Sequence, residues 1–281
     1  MTHTQLPGHS EQPLTAAYDT ALLDLDGVVY AGAAAIEYAV ESLDAARAAG
    51  MRLAYVTNNA SRPPRAVAAH LTELGVPAAP EDVINSAQAA ARLVAEKVPA
   101  GAKVLVVGGP GLVEALAERG LVAVESLADG PAAVVQGFDP SVGWERLAEA
   151  AYAVAAGLPW VASNTDMSIP TARGVAPGNG TLVAAVRAAT GAEPEVAGKP
   201  LPPMHRETVL RTGAKRPLVV GDRLDTDIEG AFNGGVDSLL VFTGVSTPAQ
   251  LLAAPTQPRP PLLAAGLRGL LEPPPAGAFL P

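Results

Sequence analysis

Short apolar runs alternate with alanine-rich amphipathic stretches along most of this chain, and that alternation narrows the fold more than any other feature. "TALLDLDGV", "MRLAYVTNN", "AKVLVVGG", "AAVVQGF", "PWVASN", "RPLVVGDR" and "DSLLVFTG" read as strands. Between them, "AAIEYAVESLDAARAAG", "PPRAVAAHLTELG", "GLVEALAERG", "WERLAEAAYAVAAG" and "NGTLVAAVRAATG" read as amphipathic helices, each running into a glycine. A strand that is apolar throughout is buried on both faces, and strands linked through helices lie parallel. An α/β fold with parallel sheets is therefore expected.

Composition bounds the function. With 281 residues, 49% of them hydrophobic and 17% charged, the chain can bury a sizeable core. A net charge of −9 argues against a nucleic-acid partner. Having no cysteine excludes disulfides, thiolate metal sites and cysteine nucleophiles, and fits a cytoplasmic setting. No apolar run reaches the length of a membrane span. The opening "MTHTQLPGHSEQPLT" lacks the basic start and apolar centre of a signal peptide, and residues 1–17 read as a loose tail. Near the other end, the apolar middle of "APTQPRPPLLAAGLRGLLEPPPAGAFLP" is expected to form one last helix between extended proline-rich flanks.

Parallel α/β sheets bind ligands at the carboxyl ends of their strands. Polar residues gather at those positions: Asp24 and Asp26, Thr57-Asn58-Asn59, Asn164-Thr165-Asp166, and Asp222 with Asp225 and Asp227. If the first run is one continuous strand, Asp24 and Asp26 point to the same side, which is costly unless a positive group joins them. Carboxylates without histidine or cysteine favour a hard cation such as Mg²⁺. Read alone, "GDRLDTDIEG" is equally a helix start with aspartate as cap. "VTNNAS" offers hydroxyl, amide and backbone N–H groups to phosphate oxygens, or is an ordinary capping loop. Lys199 in "AGKP" is a fixed point charge for an anion, or a solvated loop lysine. A Walker loop is excluded by Pro200, which stands where serine or threonine belongs, and the "GGPG" at 108–111 is no dinucleotide fingerprint, because Glu114 replaces its last glycine.

In their order along the chain, "DLDGVVY", "VTNNASRPP", "AGKP" and "VVGDRLDTDIEGA" resemble the motifs of the haloacid dehalogenase-like superfamily of phosphohydrolases. The likeness runs from Asp19 to Gly244 and is strongest to the p-nitrophenylphosphatase-like branch, which carries a large C2-type cap. It implies a Rossmann-like parallel-sheet core from residues 18–85 and 180–281, with a smaller α/β cap inserted at 86–179. Asp24 would be the nucleophile that forms an aspartyl-phosphate, and Asp26 the general acid and then base. Mg²⁺ would be held by Asp24, the Asp26 carbonyl and Asp222, with Asp227 orienting its surroundings. Thr57, Asn58 and Lys199 would hold the phosphoryl oxygens. Asn59, Ser61, Arg62, Asn164 and Asp166 are the substrate-facing candidates, Arg62 being as readily a partner for a surface carboxylate. The implied partner is a small phosphomonoester, glycerol 3-phosphate first, with pyridoxal phosphate, phosphoglycolate or a sugar phosphate as alternatives. A non-catalytic phosphate-binding module is a further alternative. A phosphomutase shares Asp-x-Asp and Mg²⁺ but has mostly helical caps, and a receiver domain carries its threonine, lysine and acids in another order. The resemblance also carries the expectation of a homodimer, for which the sequence marks no surface.

Overall fold

The strand Thr20–Leu23 is buried at every position and lies at the centre of a sheet. In the computed structural model, which describes residues 12–171, 173–254 and 258–273, six strands make up that sheet. Their spatial order is Leu262–Ala264, Asp237–Val241, Pro217–Gly221, Thr20–Leu23, Arg52–Thr57 and Val83–Asn85. Thr20–Leu23 pairs in parallel with Pro217–Gly221 and with Arg52–Thr57. Residues such as Leu22, Leu23, Leu218, Leu239 and Leu240 fill this position because both sheet faces are covered. Each contributes about 1.5–3 kcal/mol by leaving water. The expected α/β class, with its Rossmann-like parallel sheet, is the class the chain adopts.

The chain divides into two compact units. One comprises the residues up to Val56, then Ala68–Val83, and those from Thr208 onward; the other comprises Thr57–Val67 and Ile84–Glu207. The second unit has its own parallel sheet, in the order Glu195–Val196, Trp160–Ala162, Ala133–Gln136, Lys103–Val107 and Val122–Val124. The helices Trp144–Ala155 and Asn179–Thr190 supply Ala150, Val154, Val183 and Val186 to a core with Leu105, Val107, Val134 and Trp160. The compact unit reaches Glu207 because the Asn179–Thr190 helix packs on its sheet and Glu195–Val196 adds a fifth strand.

Three local expectations are corrected. The apolar run that starts at Ala21 is not one strand. It stops at Leu23, and the N–H groups of Val28, Val29 and Tyr30 all turn back to the Leu25 carbonyl. Leu25, Val28 and Val29 are buried in that turn, so burial and not extension explains their character. The tail expectation fails at its inner end, where Leu14–Ala17 forms a helical turn with Leu14 buried; residues 1–11 lie outside the described residues. The expected last helix is instead the strand Leu262–Ala264, paired in parallel with Asp237–Val241, followed by the 3₁₀ turn Leu267–Leu270. Its flanks at 255–257 and 274–281 lie outside the described residues.

Candidate active site

Adjacent parallel strands deliver the acidic residues. Leu23 is level with Val220, the Asp24 N–H donates to the Val220 carbonyl at 2.9 Å, and Asp222 follows the end of Pro217–Gly221. Past Asp222 the chain makes one turn of π-helix, Leu224–Ile228, before the helix Glu229–Gly234. That turn brings Asp227 back toward the strand ends, where its Oδ2 accepts the Arg223 N–H at 3.1 Å. Carboxylate oxygens of Asp24, Asp222 and Asp227 all lie within 4.8 Å of one another. Asp222 and Asp227 are buried, and Asp24 is half-buried. At an effective dielectric constant of ~20, two carboxylates so placed repel by about 3.5 kcal/mol.

The surroundings of this cluster are built to hold carboxylates. The Val245 N–H donates to Asp222 Oδ2 at 2.6 Å, and the Ser246 N–H donates to the Asp222 carbonyl at 3.0 Å. Ser246 Oγ accepts the Leu224 N–H, and the Thr243 hydroxyl donates to the Gly27 carbonyl at 2.6 Å. Gly27 has φ +86°, and a Cβ on it would stand 2.6 Å from Asp222 Oδ2. Gly244 lies beside Gly27 against the same carboxylate, and a Cβ on it would likewise collide with Asp222 Oδ2. Only glycine leaves room for Asp222 there. Three clustered carboxylates, all oxygen donors, match a hard divalent cation such as Mg²⁺. At the edge of the site, bidentate bonds from Arg223 (Nε to Oδ1 at 3.0 Å, Nη2 to Oδ2 at 2.8 Å) hold the Asp225 carboxyl below the usual carboxylate range.

Apart from Asp26, the other predicted residues gather in the second unit. Asn58 Oδ1 accepts the Lys199 N–H at 2.8 Å, and Asn58 Nδ2 donates to the Lys199 carbonyl at 3.1 Å and to Asp166 Oδ2 at 3.2 Å. Asn164 Nδ2 donates to the Asn58 carbonyl at 2.7 Å, and Asn164 Oδ1 accepts the Asp166 N–H. Thus Asn58, Asn164, Asp166 and Lys199, drawn from three separate stretches of sequence, form one network. Thr57 is buried at the end of its strand, and its Oγ1 accepts the Asn59 N–H at 3.1 Å. Asn59 Oδ1 accepts both the N–H and the hydroxyl of Ser61, so these two side chains are turned on each other. Arg62 is exposed, while its carbonyl accepts a bond from Asn85 Nδ2. Asp26 is exposed, and its carboxylate is not part of the three-aspartate cluster.

Sequence reasoning missed four contributors. Ser86 donates its hydroxyl to the Asn58 carbonyl at 2.6 Å, and the buried Asn179 donates Nδ2 to the Asn164 carbonyl at 2.7 Å. Both sit at helix starts, where a polar residue reads as a cap. Gly244 and Ser246 were hidden in "TGVS" after a late strand; a hydroxyl and a glycine past a strand end were their only signal.

Comparison with known proteins identifies the class. A model described as haloacid dehalogenase-like hydrolase matches residues 21–122, and a second, HAD-hydrolase-like, model matches 196–270. The D-glycerol 3-phosphate phosphatase of Mycobacterium tuberculosis is 49% identical over 253 residues, which are 90% of this chain and 71% of that protein. The acid sugar phosphatase of Staphylococcus aureus is 40% identical over 232 residues, 82% of this chain and 88% of that one. The crystal structure of a glycerol phosphate phosphatase from Mycobacterium tuberculosis in complex with magnesium superposes with a TM-score of 0.89 at 48% identity, covering 93% of this chain and 79% of that one. The chain belongs to the haloacid dehalogenase-like hydrolases, among their phosphatases.

Proposed function

We propose that this protein is a Mg²⁺-dependent phosphomonoester hydrolase whose substrate is glycerol 3-phosphate, released as glycerol and inorganic phosphate. The observation that carries the reading is the convergence of Asp24, Asp222 and Asp227 within 4.8 Å. Asp24 and Asp222, with the Asp26 carbonyl, would hold Mg²⁺, and Asp227 would orient its surroundings. Bound there, the ion supplies positive charge that offsets the repulsion between the carboxylates and a phosphate group.

The residues of the chain then carry two half-reactions. The Asp24 carboxylate attacks phosphorus and the ester P–O bond breaks, leaving an aspartyl-phosphate. Asp26 gives its proton to the departing alkoxide, which leaves as the alcohol. Asp26 next takes a proton from water; that water attacks the phosphorus, and inorganic phosphate departs as Asp24 is regenerated. Thr57 and Lys199 are assigned to the phosphoryl oxygens, where charge develops. The second unit, carrying the substrate-facing candidates Asn59, Ser61, Arg62, Asn164 and Asp166, serves as the cap that selects the leaving group.

Substrate choice rests on the 49%-identical glycerol 3-phosphate phosphatase. The 40%-identical acid sugar phosphatase favours a sugar phosphate as the second reading. Cytoplasmic residence and a homodimer complete the proposal; among the described residues no helix is long and apolar enough to cross a membrane. The test is phosphate release from a panel of glycerol 3-phosphate, sugar phosphates, pyridoxal phosphate and phosphoglycolate, with Mg²⁺ or with EDTA. Glycerol 3-phosphate is expected to rank first and EDTA to abolish release, with Mg²⁺ restoring it. A sugar phosphate ranking first would move the reading to the second substrate, and release indifferent to EDTA would overturn the metal assignment.

A further inference from the structure

We propose that Asn58 is a positioning residue, which fixes where Lys199 stands by gripping the main chain of the lysine; the proposal rests on the phosphatase reading above. The amide of Asn58 spans the Lys199 backbone, accepting its N–H at 2.8 Å and donating to its carbonyl at 3.1 Å. The second direction of the amide nitrogen is toward Asp166, at 3.2 Å from Oδ2. A primary amide has two N–H donors, so both donors of Asn58 are spent within the protein. This side chain was assigned to a phosphoryl oxygen from sequence, and its geometry gives it a different task.

Asn58 is itself immobilised. Its carbonyl accepts from Ser86 Oγ at 2.6 Å and from Asn164 Nδ2 at 2.7 Å, and the Asn164 carbonyl is held by Asn179. Gly198 completes the grip, since a Cβ there would stand 2.6 Å from Asn58 Oδ1. Lysine carries a long flexible stem and shows its charge as a point rather than a fork. Fixing its Cα narrows the volume that the ammonium samples, and a displacement of about 1 Å in a positioned group can cost ~10²-fold in rate. No other side chain of this length both accepts and donates in the required pattern. Aspartate would lose the bond to the Lys199 carbonyl and would face the Asp166 carboxylate with a second negative charge.

The test is a polarity swap. Asn58→Asp, Asp166→Asn and the double variant are compared with wild type for kcat, KM, inhibition by inorganic phosphate, Mg²⁺ dependence and thermal melting. In the double variant the amide introduced at position 166 can donate to the carboxylate introduced at position 58, which restores that bond in reverse. Asn58→Asp is expected to raise KM and the phosphate inhibition constant by about 10-fold or more, with the Mg²⁺ dependence unchanged, and the double variant, which removes the repulsion at 166 but not the loss of the bond to the Lys199 carbonyl, is expected to stay above wild type. Gly198→Ala perturbs the same grip and is expected to raise KM likewise, so the proposal is still tested if Asn58→Asp fails to fold. The proposal is overturned if KM and phosphate inhibition stay at wild-type values in both Asn58→Asp and Gly198→Ala, if only the melting temperature falls, or if the double variant regains wild-type KM, which would show the bond to the Lys199 carbonyl to be idle. Lys199→Met is measured beside them. If that change leaves phosphate inhibition intact, the lysine assignment itself fails; if it weakens inhibition while Asn58→Asp does not, only the positioning role fails.

Discussion

Asp222 shows how a single residue is made tolerable in a place where a charge is costly. It is wholly buried, yet its carboxylate receives the Val245 N–H and fits against Gly27 and Gly244, where a Cβ would collide with it. Its neighbour Arg223 steadies the same turn by pairing with Asp225, whose carboxyl it holds below its ordinary value of 3.8. A carboxyl depressed on folding stabilises the protein fully above the unfolded value and loses that contribution as pH falls through the folded one. The Asp225 side chain is 55% exposed, so solvent limits the effect to about 0.2–1 kcal/mol. Asp225→Asn is therefore expected to melt slightly below wild type at pH 7, with the gap closing as pH falls below about 3.8. Melting curves across pH 2–7 check this, and a gap that persists at pH 2 would show that the charge is not its source. At this scale the sequence was legible wherever an acid follows a strand, as with Asp24 and Asp222. For Asp227 the residues alone allowed a helix cap as readily, and only the resemblance set it beside the metal, because one π-turn decides where that side chain points.

Among the elements, long periodic segments were readable and short ones were not. Trp144–Ala155 and Asn179–Thr190 follow from their apolar spacing. Val122–Val124 and Glu195–Val196 are edge strands of three and two residues, too short for a pattern to emerge. Leu262–Ala264 lay within "PPLLAAGLRGLL", where an apolar run fits a helix as well as a strand, and pairing with Asp237–Val241 decided between them. Nor did sequence point to Glu207 in the helix Pro202–Thr212. It is wholly buried, with Arg119 Nη2 at 2.8 Å and Arg92 Nε as its partners. Removing one member of a buried ion group strands the others, so Glu207→Ala is expected to cost about 3 kcal/mol. Urea unfolding monitored by circular dichroism measures it, and a midpoint equal to that of wild type would show the triad to be energetically idle.

For the molecule as a whole, function was legible through the order of its motifs more than through any one of them. Asp24, Thr57, Lys199 and Asp222 are far apart in sequence, and each has a bland explanation when read alone. Their sequence-long arrangement pointed to one family, and the fold and the 49%-identical relative agree with it. The division of the chain was less legible, because Asn179–Thr190 reads as a helix without revealing which sheet it covers. Packing with Leu105, Val134 and Trp160 assigns it to the second unit. A formal charge of −9 adds a physical requirement, since an anionic substrate approaches an acidic protein and local positive charge must receive it.

The central claim is that the Asp24 carboxylate makes the bond to phosphorus. The direct measurement is phosphate release from glycerol 3-phosphate at saturating Mg²⁺ by wild type and by Asp24→Asn, with circular dichroism showing that both are folded. The account predicts a loss on the order of 10³-fold or more, the scale seen when an enzyme loses its nucleophile. Release by Asp24→Asn within a few-fold of wild type would contradict it.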